Sequence, residues 1–168
     1  LFNHEGTRRG LDFVTRKISH GIASIKLAIE QGKQIPVLEL GNLDAKRDWS
    51  DAEDFMEGVW MMLNQDSPKN YVLASGEMHT VREFLNECLR LADIEFYIEG
   101  EDESEKYFTV KGKKLIFQVN PKFYRPAEVH KLCGDCSLAE KEMGWVKKTD
   151  FLGLVKKMYE NDYKLLTK

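Results

Sequence analysis

The sequence predicts an α/β fold, because helical and strand patterns alternate along the first half of the chain. The clearest helix covers residues 11–31, where apolar side chains recur every three or four positions before Gly32. Apolar runs at 35–40 and 71–74 are typical of short buried strands between helices. These observations predict one α/β unit, and the length of 168 residues fits a single domain.

Helix-start signals predict the remaining helices. The capping-box pattern, a Ser or Thr followed three residues later by Glu, begins at Ser50, Thr80 and Ser137. The third of these helices is expected to end at Gly144, and Asp150 is expected in the first turn of a final amphipathic helix. The helix after Ser50 is expected to place its large apolar side chains on one face, namely Phe55, Met56, Val59, Trp60 and Leu63.

A β-rich section follows the helix that begins near Thr80. Residues 94–98, 107–110 and 115–119 have the pattern of strands, and the turn residues at 111–114 are expected to join the last two in a hairpin. The acidic run at 99–105 is expected to be a solvated loop, since so many like charges cannot pack together.

Composition narrows the functional classes. The net charge is −3, and no basic run is long enough to predict a nucleic-acid-binding surface. No apolar stretch approaches the ~20 residues that a membrane helix needs. We therefore expect a cytoplasmic protein that binds neither nucleic acid nor membrane. The chain opens at Leu1 on an apolar strand without an initiator Met, and we expect that it begins in mid-fold.

The three cysteines are an odd number, which argues against a disulfide framework and for a reducing compartment. Cys133 and Cys136 match the C-x-x-C pattern of zinc sites and redox dithiols. His79 and His130 could in principle complete a zinc site, but no second ligand pair follows at the usual spacing. Packing or turn roles are therefore favoured, and no metal is expected.

Polar clusters lie where loops should follow the predicted strands, at residues 3–10, 41–49, 124–129 and 134–135. In α/β proteins, ligands bind in loops at the carboxyl ends of strands. Two of these clusters present an arginine just after a predicted strand, and a planar guanidinium matches the oxygens of a diphosphate. Each cluster alone would also fit a surface salt bridge or a helix start.

Taken in order, the clusters are more informative. They read Leu-Phe-Asn-His-Glu, Arg-Arg-Gly, Phe-Val-Thr-Arg-Lys-Ile, Leu-Gly-Asn-Leu-Asp-Ala-Lys-Arg-Asp-Trp, Tyr-Arg-Pro-Ala-Glu-Val and Gly-Asp-Cys. This series resembles the GDP-mannose 4,6-dehydratase family of extended short-chain dehydrogenase/reductases, over essentially the whole chain. The Arg-Asp-Trp and Arg-Pro-Ala-Glu motifs are shared across that superfamily. The Asn-His-Glu opening and the Gly-Asn-Leu-Asp-Ala-Lys-Arg stretch are more particular to the GDP-mannose enzymes.

The resemblance implies that residues 1–168 form a single domain, the C-terminal substrate-binding portion of an NAD(P)-binding Rossmann-type fold with a small β-hairpin. The N-terminal nucleotide-binding part, including its Gly-rich loop, is expected to be absent from this chain. The family's catalytic Thr, Glu and Tyr-x-x-x-Lys would lie upstream of Leu1. Tyr107 and Lys111 match the last pattern as a string, but they fall on the predicted hairpin rather than on a helix, so we regard the match as chance.

The resemblance also assigns binding residues. His4 and Arg9 match positions that contact NADP. Arg47 and Arg125 would neutralise the diphosphate of GDP-mannose, and Glu128 would accept hydrogen bonds from ribose hydroxyls. The full set of positions around the GDP-sugar is Asn3, Lys17, Asn42, Arg47, Arg125 and Glu128.

The implied reaction dehydrates GDP-mannose to GDP-4-dehydro-6-deoxy-D-mannose and regenerates NADP. The implied partners are the N-terminal half of the same enzyme and further copies of it in a homo-oligomer, a dimer or a tetramer. Two other interpretations remain open at this point. The chain could be the same half of a UDP-sugar epimerase or a dTDP-glucose dehydratase, or it could be a non-catalytic nucleotide-sugar-binding module.

Overall fold

The computed structural model describes residues 1–124 and 131–168, and it confirms an α/β fold. Arg125, Glu128 and His130 lie outside the described residues. The helices are α1 Val14–Glu30, α2 Ala52–Leu63, α3 Val81–Leu91, α4 Ser137–Met143 and α5 Phe151–Leu166. The strands are β1 Asn3–Glu5, β2 Leu38–Leu40, β3 Lys46–Arg47, β4 Trp49–Asp51, β5 His79–Thr80, β6 Phe96–Glu99, β7 Lys106–Thr109 and β8 Leu115–Val119. Short 3₁₀ turns occupy Asp102–Ser104 and Pro121–Phe123.

The strands of the described residues form small sheets rather than one continuous sheet. β1 pairs with β4 in parallel, and β3 pairs with β5 antiparallel. The largest of them has the order β2-β8-β7-β6, in which β2 and β8 are parallel and the other pairs antiparallel. Parallel pairing brings the carboxyl ends of β2 and β8 together, and the amide of Asn120 donates to the carbonyl of Leu40 at 2.8 Å. The loops that follow these two strands are therefore neighbours.

The main core lies where α1, α3 and α5 pack together beside this sheet. Its fully buried side chains include Ile18, Ile22, Phe84, Leu85 and Val155. A second, smaller core surrounds the inner face of α2 and contains Phe55, Leu73, Ala139 and Trp145. The indole of Trp145 donates to the carbonyl of Asp54 at 3.0 Å, which ties α2 to the segment after α4.

The structure confirms the predicted end of α1 and the predicted start of α3. Gly32 adopts φ 62° just after α1, and the amide of Lys33 donates to the carbonyl of Ala28 at 2.9 Å. Thr80 and Glu83 form the reciprocal capping box that was predicted for α3. The predicted hairpin between β7 and β8 is also confirmed.

The capping boxes predicted at Ser50 and Ser137 are wrong. Ser137 is the first residue of α4, and the residue before it, Cys136, makes no side-chain capping hydrogen bond. Ser50 lies in β4 opposite His4, and Asp51 caps α2 by accepting the amide of Glu53 at 2.8 Å. Asp51 lies one residue closer to the helix and caps it. Its negative charge is also stabilised by the positive end of the helix dipole.

The predicted apolar face of α2 is also wrong in part. Phe55 is fully buried, whereas Met56, Trp60 and Leu63 are exposed by 51%, 65% and 80% of their surface. The apolar residues of α2 therefore lie on two faces, and only one of them is covered by the described residues.

One predicted strand is shorter than the sequence suggests, and another is not a regular strand. The strand predicted at 35–40 begins only at Leu38, after Pro36, which has no amide to donate to a ladder. Residues 71–74 are not assigned as a strand, although Leu73 is buried and accepts the amide of Phe2 at 3.0 Å.

The acidic run is not a fully solvated loop. Glu105 is only 4% exposed, and its carboxylate pairs with the guanidinium of Arg82. A buried carboxylate is tolerated there because the ion pair compensates for its lost hydration.

Among the helices of the described residues, none is both long and apolar enough to cross a membrane.

Candidate functional site

A cavity of about 740 Å³ opens between the start of α1, the loop after β2 and the turn Pro121–Phe123. The apolar side chains of Val14, Leu40 and Trp49 contribute to its walls. The cavity brings together most of the side chains that the resemblance assigns to ligand binding, namely Asn3, Arg9, Lys17, Asn42 and Arg47. These residues come from three separate stretches of sequence, so their convergence is a product of the fold.

Close approach of two loops shapes one side of the cavity. A Cβ atom on Gly41 would lie 2.5 Å from the carbonyl oxygen of Phe123, so only glycine fits there without a shift of the backbone. The side-chain oxygen of Asn42 accepts the amide of Asp44 at 2.9 Å. Asn42 thus stabilises its own turn while it lines the cavity.

The first turn of α3 holds this loop from behind. The amides of Val81 and Arg82 donate to the carbonyls of Ala45 and Leu43 at 3.2 and 2.9 Å. The Arg82 guanidinium lies 3.1 Å from the Asp44 carboxylate and also pairs with Glu105. These contacts fix the loop that leads to Arg47.

Arg47 lies in β3, opposite His79 of β5. Its Nη1 donates to the carbonyl of Lys46 at 2.8 Å, while the side chain lines the cavity. Alternation along β3 directs the neighbouring Lys46 away from the cavity that Arg47 lines. Arg47 thus presents a cation at the cavity wall.

Asp48, next to Arg47, is buried and hydrogen-bonds several backbone amides. Its carboxylate accepts the amides of Ser75 at 2.7 Å, Gly76 at 3.0 Å and Gly134 at 3.0 Å. One side chain therefore joins the segment of Asp48 to two others, at residues 75–76 and at residue 134. This role explains the Asp of the Arg-Asp-Trp motif.

A smaller cavity of about 320 Å³ adjoins the first and is lined by His4, Arg8, Arg9 and the start of α2. His4 does not line the larger cavity. Its Nδ1 lies 3.0 Å from the Phe2 carbonyl oxygen, and its ring lies 5.8 Å from that of Phe55. Arg9 and Glu5 line both cavities and form the wall between them.

The wall is an ion pair backed by an aromatic ring. Nε of Arg9 lies 3.1 Å from Oε2 of Glu5, and the guanidinium carbon lies 3.4 Å from the centre of the Phe13 ring. Glu5 is 3% exposed and accepts the hydroxyl of Thr15 at 2.6 Å. Burial raises the pKa of the Glu5 carboxyl, while Thr15 and Arg9 act in the opposite direction.

Sequence reasoning missed several residues of this site, namely Glu5, Phe13, Lys122, Phe123 and Tyr124. Glu5 and Phe13 each lie four positions from Arg9, a spacing that could have suggested contact. Phe123 had no such signal, because it meets Lys17 only through the pairing of β2 with β8. Arg125 and Glu128 lie outside the described residues, and Tyr124, directly before them, lines the larger cavity.

The cysteines supply no metal centre within residues 1–124 and 131–168. Cys133 is exposed and Cys136 is buried, and both are free thiols. Tyr107 is fully buried in β7, stacked 5.0 Å from Phe96, in keeping with the view that its spacing from Lys111 is a chance match.

The cavity is suited to an anionic ligand with both polar and apolar parts. Arg9, Lys17 and Arg47 contribute cations to its lining, and Glu5 and Asp12 contribute the acidic groups. Charge-assisted hydrogen bonds from guanidinium and ammonium groups are the usual means of holding phosphate oxygens.

Comparison with known proteins gives consistent matches. The family model described as GDP-mannose 4,6 dehydratase matches residues 1–158. The GDP-mannose 4,6 dehydratase of Drosophila melanogaster is 44% identical over 168 residues, which cover 100% of this chain and 41% of the relative. The human GDP-mannose 4,6 dehydratase is 42% identical over 166 residues, covering 99% of this chain and 43% of the relative. The chain thus spans less than half the length of these relatives.

Solved structures share the fold at low identity. RMD from Pseudomonas aeruginosa, solved with NADPH, superposes with a TM-score of 0.73 at 20% identity. The match covers 97% of this chain and 46% of the RMD chain. The UDP-glucose 4-epimerase of Thermotoga maritima, solved with UDP-glucose, has a TM-score of 0.68 at 15% identity, with 98% and 45% coverage. These likenesses confirm the expected fold class, an α/β portion of a Rossmann-type fold.

Proposed function

The chain belongs to the GDP-mannose 4,6-dehydratase family, and on that premise we propose that it forms the sugar-nucleotide-binding part of an enzyme that dehydrates GDP-mannose. The observation that carries this proposal is the convergence of Asn3, Arg9, Lys17, Asn42 and Arg47 on one cavity. A volume of about 740 Å³ lies within the range of ordinary small-molecule sites.

The proposed substrate is GDP-mannose. Arg47 and Lys17 would neutralise the diphosphate together, since both line the cavity, from β3 and α1 respectively. Arg125 and Glu128 are proposed to complete the site on the grounds of the motif resemblance alone. Asn3, at the start of β1, would orient a polar group of the ligand near the wall that Arg9 and Glu5 form.

The proposed cofactor is NADP, which supplies reversible oxidation of the sugar when it is bound. The smaller cavity fits one end of such a group, because His4, Arg8 and Arg9 line it with hydrogen-bond donors. Arg9 is 22% exposed in its side chain and is held by Glu5 and Phe13, so its guanidinium is oriented before any ligand arrives. His4 and Arg9 are thus proposed as cofactor-binding residues.

The contribution of this chain to catalysis would be positioning and charge neutralisation. Holding the sugar in a fixed place relative to the cofactor lowers the entropic part of the barrier, and small displacements are costly. The product would be GDP-4-dehydro-6-deoxy-D-mannose. The acid and base groups are proposed to come from a preceding part of a longer protein, so residues 1–168 alone should convert no GDP-mannose.

The proposal that this chain is a single domain that docks on a further part is supported by α2. Met56, Trp60 and Leu63 form an exposed apolar stripe at positions i, i+4 and i+7 of that helix. Such a stripe is typical of a surface that another element covers. We also propose that the full-length enzyme is a homo-oligomer.

The experiment is an assay of the full-length protein that contains this chain. Purified protein is supplied with GDP-mannose and NADP, and the 4-keto sugar nucleotide is followed by mass spectrometry and NMR. We expect the product from GDP-mannose and none from UDP-glucose or dTDP-glucose. Intact GDP-mannose after prolonged incubation with folded enzyme, or turnover of another sugar nucleotide instead, would refute the proposal.

A further inference from the structure

The loop that carries Arg9 is attached to the last helix of the chain through a buried side-chain relay. Nη1 of Arg16, on α1, donates to two carbonyls of this loop, that of Thr7 at 2.7 Å and that of Arg9 at 2.9 Å. Nη2 of the same guanidinium lies 2.7 Å from Oδ1 of Asp162 on α5. One planar group therefore contacts both the loop and the helix.

The anchor of Arg16 is the buried side chain of Asp162. Asp162 is fully buried, and its second oxygen accepts the hydroxyl of Ser19 at 2.6 Å. The Arg16 side chain is only 11% exposed. A charge pair so well shielded from water is screened little, and each group holds the other in one orientation.

The loop itself has few other means of support. Its backbone closes a turn through the amide of Arg9, which donates to the carbonyl of Gly6 at 3.0 Å. Beyond that turn, the Arg9 side chain reaches Glu5 and Phe13, and Arg16 holds the loop backbone. The position of the Arg9 backbone thus depends on the guanidinium of Arg16.

We propose that Arg16 is a positioning residue that sets Arg9 in the wall between the two cavities, and that Asp162 of α5 orients Arg16 for this purpose. The inference rests on the proposed function insofar as Arg9 is taken to contact NADP. It extends the site to Asp162, which lines neither cavity, although Lys157 of the same helix lines the smaller one.

The test uses the full-length protein and the variant Arg16→Lys. Lysine keeps a cation beside buried Asp162 but cannot donate to two carbonyls and a carboxylate in one plane. We expect NADP to bind about tenfold or more weakly, since displacement of a binding group by about 1 Å is costly. Ile22→Val, which removes one methyl group from the buried face of α1, is the control for a general loss of stability.

A double-mutant cycle separates positioning from a merely structural role. If Arg16 acts through Arg9, Arg16→Lys combined with Arg9→Ala should bind NADP no more weakly than Arg9→Ala alone. If the losses of NADP affinity in the two variants are fully additive while the wild-type enzyme converts GDP-mannose, this inference is overturned and the proposed function stays intact. A wild-type protein inert on GDP-mannose would refute the proposed function instead.

A second measurement needs no ligand. Hydrogen exchange of the amides at residues 6–10 should be faster in Arg16→Lys than in wild type and unchanged in Ile22→Val. Equal exchange in Arg16→Lys and wild type would overturn the inference. If Arg16→Lys does not fold, Asp162→Asn, which keeps the size of the side chain and removes its charge, is judged by the same two readouts.

Discussion

The ammonium nitrogen of Lys17 lies 3.9 Å from the centre of the Phe123 ring. Lys17 belongs to α1 and Phe123 to the turn after β8, so the contact joins two elements that line the larger cavity. The ring face attracts the cation and restricts the side chain to one region of the wall. Lys17 is thereby oriented for an anionic ligand rather than left to sample many rotamers.

We expect Phe123→Leu to weaken GDP binding to the full-length protein about two- to fivefold, because a cation–π contact at a partly exposed site contributes ~0.5–1 kcal/mol. Phe123→Tyr keeps the ring and should bind GDP as wild type does. Isothermal titration calorimetry measures both. A leucine variant with unchanged affinity would show that the ring does not orient Lys17.

Arg47→Ala should weaken GDP-mannose binding by roughly 10- to 150-fold, because a charge-assisted hydrogen bond contributes ~1.5–3 kcal/mol. Arg125→Ala is expected to behave in the same way, on the basis of the motif resemblance. Lys46→Ala is the matched control, since Lys46 is the exposed neighbour of Arg47 in β3 and does not line the cavity.

The measurement for Arg47 has two readouts, substrate affinity and melting temperature. Loss of affinity with little change in melting temperature is the expected result. A melting temperature that falls while affinity stays constant would instead identify Arg47 as a structural salt-bridge residue.

Local sequence signals predicted the helices well because the determinants are local. The period of the apolar residues and the glycine at position 32 specify α1 and its end without any knowledge of the rest of the chain. The error at Ser50 arose because two adjacent residues, Ser50 and Asp51, can both cap a helix. Which of them does so depends on the pairing of Ser50 with His4 in a parallel ladder.

The site was predicted as a set of motifs but not as a geometry. Motif resemblance named Arg9, whereas the residues that hold it depend on long-range packing. Ser19 and Asp162 are separated by 143 positions in sequence, and no local pattern relates them. Nor could the sequence show that the wall residues Arg9 and Glu5 are shared by two cavities.

Asp48→Asn should destabilise the protein by about 1–3 kcal/mol, because the amide group would direct its own donors at backbone amides that need an acceptor. Asp48 is fully buried and accepts amides from three residues, so a rotation of the side chain cannot satisfy them all. Guanidinium unfolding measures the change. Asp44→Asn is the control, since the Asp44 side chain is 65% exposed. This variant should lower the free energy of unfolding much less than Asp48→Asn does. Equal losses in the two variants would contradict the role assigned to Asp48.

Thiol labelling at pH 8 should modify Cys133 first and leave the other cysteines nearly unreactive. Burial raises the pKa of the Cys136 thiol to about 11, and the fully buried Cys88 has a pKa well above its ordinary value. A thiol with such a pKa is ~0.1% thiolate at pH 8, and only the thiolate reacts. The rate at Cys136 should rise with pH toward 11. Cys133→Ser should abolish the fast phase, and equally fast labelling of Cys133 and Cys136 in wild type would contradict this assignment.

The choice of nucleotide base is the sharpest test of the substrate. Arg47 and Lys17 cannot discriminate among GDP, UDP and dTDP, because all three carry the same diphosphate. Discrimination must come from the base, and a site that hydrogen-bonds guanine leaves buried polar groups unpaired when a pyrimidine enters. Such mismatches cost up to ~10⁴-fold in affinity at the strong end. Val14, Leu40 and Asn42 line the cavity and are the candidates for shaping the base pocket.

We therefore expect GDP to raise the melting temperature of the full-length protein at concentrations where UDP and dTDP have no effect. The measurement is a thermal-shift titration with the three nucleotides, repeated with Arg47→Ala. In that variant the GDP shift should need a higher concentration, while the order of the nucleotides should stay the same, because Arg47 is proposed to bind only the diphosphate. Equal shifts from all three nucleotides, or a preference for UDP, would refute GDP-mannose as the substrate. Either result would leave the fold assignment intact, because the fold rests on the superposition with the two solved structures described above, one of which holds a UDP-sugar.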